Sequence, residues 1–250
     1  MAVATAERAD LALVRQGLAE SRSRAQALIL AGAVLRADTG ARVEKPGMVV
    51  PLNAPLRLRA SLPFVSRGGI KLAAALTARG LDVQGKICLD VGVSTGGFTD
   101  CLLQRGAARV YGVDVGYGQL DWRLRQDPRV VLHERCNIRH VPPGLLPEPC
   151  AVVVVDVSFI SLLLVLPVIL PFLDRPASLV ALVKPQFEVG RGQVGRGGIV
   201  RETDLQARAV ARVQAAAAAL GMVELASMPS PICGAKGNQE FLLSGTWPCR

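Results

Sequence analysis

The stretch Ile87-Cys-Leu-Asp-Val-Gly-Val-Ser-Thr-Gly-Gly-Phe98 constrains this chain more than any other. A short apolar run enters a glycine-rich turn and then a helix. Unbroken apolar runs of this kind are buried parallel strands, and the glycines let backbone N–H groups approach a ligand at the N-terminus of the next helix. Asp90 near the strand's end and the spacing Gly92-x-x-x-Gly96-Gly97 set the turn apart from the G-x-G-x-x-G of dinucleotide binders. A carboxylate there repels a pyrophosphate, but it suits a cofactor that carries an ammonium and a sulfonium. S-adenosylmethionine (SAM) meets that condition and NAD does not. Taken alone, the turn leaves an unoccupied strand-to-helix connection equally open.

Further strands alternate with helices: Arg109–Asp114, Val130–Leu132, Val152–Asp156, Leu179–Lys184, Met222–Ser227 and Glu240–Leu243. With Ile87–Val91 they make a doubly wound, seven-stranded, Rossmann-like α/β sheet. Ligands of such sheets bind at the carboxyl ends of the parallel strands. Asp90, Asp114, Asp156 and Lys184 end strands and so share one rim. Glu240 joins them if the last strand runs antiparallel. Asp114 stands where an acid binds the two hydroxyls of an adenosine ribose, although a turn cap would read the same. Asn137 follows the third strand at the same rim, where an adenine edge would lie.

The chain has 24 Arg but only five Lys: Lys45, Lys71, Lys86, Lys184 and Lys236. Only an ammonium readily gives up its proton and serves as a base, so a lysine in an arginine-rich chain draws attention. A helix over Gly69–Ala78, stopping at Gly80, puts Lys71 in its first turn, where the positive end of the dipole disfavours a cation. That mismatch marks Lys71 as a functional candidate.

Residues 1–60 read as a separate α+β domain, residues 61–67 as a linker and residues 68–250 as the sheet domain. Two short helices end at Gly17 and Gly32, the second capped by Ser21, and small strands follow up to Leu58. Residues 1–67 hold 10 Lys+Arg against 5 Asp+Glu, and the remainder 19 against 15, within a net charge of +9. Arg8, Arg15, Arg22, Arg24, Arg36 and Arg42 are the candidate contacts to an anionic polymer. The element order resembles the RNA-binding module named after ribosomal protein S-four.

Six cysteines (88, 101, 136, 150, 233, 249) show no C-x-x-C spacing and no pairing rhythm, which points to a reduced, cytoplasmic setting without disulfides or a bound metal. The N-terminus lacks a secretion signal pattern. Residues 151–173 carry a single charge over a near-membrane length. Pro167, Pro171 and Asp156 make a buried strand plus a buried helix the better reading.

Several longer strings carry a likeness: Val65-Ser-Arg-Gly-Gly-Ile-Lys71, Leu89-Asp-Val-Gly-Val-Ser-Thr-Gly-Gly-Phe-Thr-Asp100, Val113-Asp-Val-Gly-Tyr-Gly-Gln-Leu120, Val155-Asp-Val-Ser-Phe-Ile-Ser161, Leu182-Val-Lys-Pro-Gln-Phe-Glu188 and Gly237-Asn-Gln-Glu240. They resemble the hemolysin A / TlyA family, and the set Lys71, Asp156, Lys184, Glu240 resembles that of FtsJ-like ribose 2′-O-methyltransferases. The resemblance implies a SAM-dependent enzyme that methylates the cytidine ribose of ribosomal RNA in ribosomal subunits. It also implies a cofactor site at Asp90, Gly92, Ser94, Gly96, Gly97, Asp114 and Asn137. The residues agree with oxygen as the target. Amino-methylating enzymes present Asp/Asn-Pro-Pro-aromatic after the fourth strand, and Asp156-Val-Ser-Phe159 lacks both prolines. Carbon methylation needs a cysteine nucleophile, and Cys150 precedes its strand, at the wrong end of the sheet. A membrane-active haemolysin and a non-catalytic RNA-binding assembly factor stay open beside the enzyme.

Overall fold

A computed structural model describes residues 6–30, 32–58, 63–142, 144–234 and 236–249. The chain forms two compact units, Met1–Leu62 and Pro63–Arg250.

In the first unit β1 (Ala6–Arg8) leads into α1 (Ala9–Arg15) and α2 (Arg22–Leu30), followed by β2 (Val34–Arg36), β3 (Val49–Pro51) and β4 (Leu56–Leu58). β1 pairs antiparallel with β3, and β2 with β4. Ser21 Oγ accepts the Arg24 N–H at 3.2 Å, so the expected cap of α2 is present. Ala12, Leu13, Ala25, Ile29, Val34, Val43 and Val50 close a small core. β1 is absent from the sequence reading, because a three-residue strand is too short to show an alternating pattern.

The second unit opens with Phe64 and Val65 packed on the core and Val65 N–H donating to Asp100 Oδ2 at 2.7 Å. Residues 63–67, read above as linker, thus belong to this unit. Next come α3 (Arg67–Arg79), β5 (Ile87–Val91), α4 (Gly97–Gln104), β6 (Arg109–Val113), α5 (Trp122–Arg125) and β7 (Val130–His133). The second half holds β8 (Cys150–Val155), α6 (Leu162–Ile169), β9 (Leu173–Val183), α7 (Pro185–Glu188), α8 (Thr203–Ala219), β10 (Val223–Pro229) and β11 (Phe241–Trp247). The sheet order is β10-β11-β9-β8-β5-β6-β7. β5, β6, β7, β8 and β9 are mutually parallel, and β11 runs antiparallel to both β9 and β10.

Alternate residues of the central strands feed two cores. Leu89, Val153 and Val155 pack under α6 and α8, while Cys88, Val152 and Val154 pack under α3 and α4. Helices on both faces make the sheet doubly wound, as the sequence indicated. Residues 151–173 resolve into β8, a loop, α6 and a 3-10 turn. Among the described residues no helix is long and apolar enough to cross a membrane. Strand order reverses between β5 and β8, and such a switch point opens a crevice at the strands' carboxyl ends.

Candidate active site

A cleft of about 680 Å³ occupies that crevice, lined by Gly92, Ser94, Asp114, Asn137, Asp156 and the loop Val157–Ser161, among others. Gly92 sits at φ +89°, and a Cβ there would lie 2.4 Å from the Asp156 carbonyl oxygen. Its lack of a side chain is therefore what lets the β5 turn run against the end of β8. Asp114 ties the turn to β6: Oδ2 accepts the Ser94 N–H at 2.7 Å and Oδ1 the Gly116 N–H at 2.6 Å. Each carboxylate oxygen keeps a further lone pair free for a ligand hydroxyl.

Three expected cofactor residues do not line the cleft. Gly96 and Gly97 instead make room within the fold, since a Cβ would strike Leu124 and Leu120 at the first and Ser66 Oγ and Gly69 N at the second. Asp90 is fully buried. Thr99 Oγ1 donates to its Oδ2 at 2.6 Å, and Oδ1 has no donor. Burial pushes this carboxyl up to about 7, with the nearby Asp156 and Asp114 charges adding to the rise.

A raised carboxyl contributes stability that is complete below the unfolded value of 3.8 and is lost as pH rises through about 7. Asp90→Asn stays neutral throughout. The ligand-free variant should therefore gain thermal stability relative to the parent as pH goes from 4.5 to 8, by on the order of a few kcal/mol. Melting curves at the two pH values check this. A parent-to-variant difference that does not move with pH would show that Asp90 does not change charge in that window.

The four expected catalytic residues form two acid–lysine pairs. Lys184, directly after β9, lies 2.7 Å from Asp156 Oδ1, and its aligned hydrogen bond goes to Ser158 Oγ at 2.9 Å. The Asp156 contact is an ion pair by distance, and Oδ1 has no aligned donor. Lys71 donates to Glu240 Oε2 at 2.5 Å, with both side chains buried. The register Phe241↔Val183 sets Glu240 beside Lys184 at the same end of the sheet, but Lys71, Lys184 and Glu240 do not line the cleft; of the four, only Asp156 does. Lys71 itself lies beyond the first turn of α3. That helix begins at Arg67 with Ser66 as its cap, so the helix-dipole argument for this lysine does not hold. What singles Lys71 out is burial with a carboxylate contributed from the far end of the chain.

Three residues were not foreseen. Ser158 supplies a partner for Lys184. Phe159 is 91% exposed at the cleft rim, at φ +65°, with its ring 5.2 Å from that of Phe187 on α7. Its signal was present, as the aromatic three residues after Asp156, but it was read only for the missing prolines. Glu188 is buried and holds the loop's far end, accepting from Ser161 Oγ at 2.6 Å and Leu162 N–H at 2.8 Å. Cys150 is the first residue of β8 rather than a preceding one, and burial pushes its thiol up to about 12, against a nucleophilic role.

In the first unit, four of the six candidate arginines are already paired. Arg8 and Arg22 meet Asp10, Arg15 meets Glu7, and Arg36 meets Asp38. Arg24 and Arg42 are exposed.

Residues 64–247 match the model of the FtsJ-like methyltransferase family. The 16S/23S rRNA (cytidine-2′-O)-methyltransferase TlyA of Mycobacterium tuberculosis is 49% identical over 94% of this chain and 88% of its own. Hemolysin A of Brachyspira hyodysenteriae is 41% identical, covering 91% of this chain and 94% of its own. A solved structure from Streptococcus thermophilus, provisionally named a hemolysin, has TM-score 0.75 and 43% identity over 98% of this chain and 90% of that one. With the switch-point cleft, the paired lysines and a family match over most of its length, the chain belongs to the FtsJ-like methyltransferases.

Proposed function

We propose that this protein uses SAM to methylate the ribose 2′-oxygen of cytidine in ribosomal RNA, acting on ribosomal subunits in the cytoplasm. The observation that carries the reading is Lys184, which does not itself line the cleft but touches two residues that do: its Nζ lies 2.7 Å from Asp156 Oδ1 and donates to Ser158 Oγ at 2.9 Å. The comparisons support the substrate, since a relative nearly half identical over most of both chains bears that activity in its name.

The cleft suits the cofactor. Asp114 and Asp156 offer carboxylates to the cleft, and the buried Asp156 Oδ1 has no aligned donor. An ammonium and a sulfonium are welcome there and a pyrophosphate is not. Bound SAM supplies a methyl group activated by its sulfonium. Asp114 would hold the ribose hydroxyls and Asn137 the adenine edge. For the acceptor, Lys184 would first release its own proton to solvent and then take the 2′-hydroxyl proton, while Asp156 and Ser158 fix the direction of Nζ. Phe159 offers a stacking face for an unstacked base, as single-stranded RNA recognition requires. Lys71 and Glu240 keep the neighbouring strand end rigid and polar. Orientation of this kind supplies about 7–11 kcal/mol of barrier reduction, and a positioned base contributes typically 10²–10⁴-fold.

Incubating ribosomal subunits with methyl-labelled SAM should place label on cytidine and make the adjoining phosphodiester resist alkali, which needs a free 2′-hydroxyl. Label on a base would overturn the chemistry, and RNA binding without label would leave an assembly factor. Release of dye from lipid vesicles would support the haemolysin reading instead. Asp114→Ala should weaken SAM by roughly 10- to 100-fold, the value of a lost charged hydrogen bond, and should also lower the melting temperature, because the Ser94 and Gly116 N–H groups lose their acceptor. Unchanged calorimetric affinity would remove Asp114 from the site.

A further inference from the structure

The first unit buries a carboxylate that the methyl-transfer site does not use. Asp10, the second residue of α1, has no exposed surface, yet four N–H donors converge on it. Arg8 reaches Oδ1 through Nε at 3.0 Å and Oδ2 through Nη2 at 2.9 Å. Arg22 Nε and Gln26 Nε2 each reach Oδ2 at 3.0 Å. The Arg8 guanidinium, followed by Gln26 and Arg22, holds the carboxyl well below the usual carboxylate range.

The two arginines come from separate elements, Arg8 from β1 and Arg22 from the start of α2, and Asp10 joins them. Their side chains remain 44% and 54% exposed. Arg22 engages through Nε, so neither of its Nη groups is used on Asp10, and Arg8 keeps Nη1 free of it. The guanidiniums are thus fixed from behind with donors left for solvent.

We propose that Asp10 is a positioning residue that sets Arg8 and Arg22 as a two-guanidinium clamp for phosphates of a structured RNA. The inference rests on the RNA-binding reading of this unit. Free arginines lose rotamer freedom when they bind a phosphate. A clamp already ordered by folding avoids that loss, which is worth about 2- to 10-fold in affinity per side chain, or about 5- to 100-fold for two. The planar fork also matches phosphate geometry, which a mobile point charge does not.

The charge balance gives the test its sign. Removing the carboxylate leaves the surface one unit more positive, so an acid that merely neutralised it would, once removed, allow tighter RNA binding. A positioning acid, once removed, gives weaker binding. Asp10→Asn presents a single acceptor oxygen where four donors converge on two, so it releases part of the clamp.

The experiment measures binding of the full chain to deproteinised 23S ribosomal RNA and to oligouridylate across a salt series, with helical signal and melting temperature recorded for each variant. Asp10→Asn should bind the structured RNA about 5- to 100-fold more weakly at fixed salt and oligouridylate at least as tightly as the parent. Arg8→Ala and Arg22→Ala should weaken the structured RNA and flatten the salt dependence. Arg22→Lys keeps both the charge and the Asp10 pairing with Arg8, and it should lose affinity with an unchanged salt slope. It serves as the test if Asp10→Asn fails to fold. If the alanine variants bind like the parent, the RNA-binding reading of the unit fails. If they weaken while Asp10→Asn, or failing its folding Arg22→Lys, binds as tightly as the parent or tighter, the positioning role is overturned.

Discussion

Lys184→Arg should retain SAM and RNA binding and lose methyl transfer by a factor of about 100 or more, equivalent to about 2.7 kcal/mol of transition-state stabilisation. Arginine keeps the positive charge beside Asp156 and can still donate to Ser158, so the ion pair at the rim survives. What it gives up is a nitrogen able to release its own proton and then accept one from the ribose hydroxyl. The substitution therefore separates charge from basicity at one position. Single-turnover rates at saturating SAM, followed from pH 6 to 9, read the effect without interference from binding. A near-native rate across that range would show that the lysine only positions the acceptor and that the proton leaves by another route.

Glu240→Ala should cost stability as well as activity. It strands the Lys71 ammonium, whose side chain is 9% exposed, without its only carboxylate partner among the described residues. Breaking a buried pair from one side costs about 3–5 kcal/mol, because the remaining charge is left uncompensated. For a chain of this length, that lowers the melting temperature by roughly 6–20 °C. Gly234 shows how closely the carboxylate is seated, since a Cβ there would lie 2.5 Å from Glu240 Oε1. The double variant Lys71→Met with Glu240→Leu removes both charges and should recover most of the lost melting temperature. It should remain poorly active, because the polar end of β11 beside Lys184 is gone. A double variant that is both stable and fully active would reduce the pair to a structural device.

The two pairs differ in how visible they were beforehand. Asp156 and Lys184 end neighbouring strands, and each closes a long apolar run, so their shared rim follows from local patterning plus the rule that parallel sheets bind ligands at one edge. Lys71 and Glu240 stand 169 positions apart. Nothing local links them, and the helix argument that drew attention to Lys71 fails because Ser66 starts α3 earlier than the apolar spacing suggests. Only the packing of α3 over the sheet and the register of β11 on β9 bring them together.

Asp90, Gly96 and Gly97 show the opposite case, residues that the spacing placed at the cofactor and that lie outside the cleft lining. Their spacing matches a ligand-cradling turn, yet their surroundings make Asp90 a buried acid held by Thr99 and the glycines packing clearances for α3, Leu120 and Leu124. Phe159 was missed because an exposed aromatic and a buried one are identical in a sequence.

By itself, then, the sequence determined what depends on neighbours along the chain. That covers the apolar strands, the Ser21 cap, the Gly92 turn, the charged residues at strand ends and the basic bias of the first 67 residues. The tertiary structure decided which charges meet: Arg8 and Arg22 on Asp10, Lys71 on Glu240, Lys184 on Asp156 with Ser158. The physical reason is range. Hydrophobic periodicity and capping act over a few residues, whereas ion pairing and burial depend on strand order and register, which bring together atoms from distant parts of the chain.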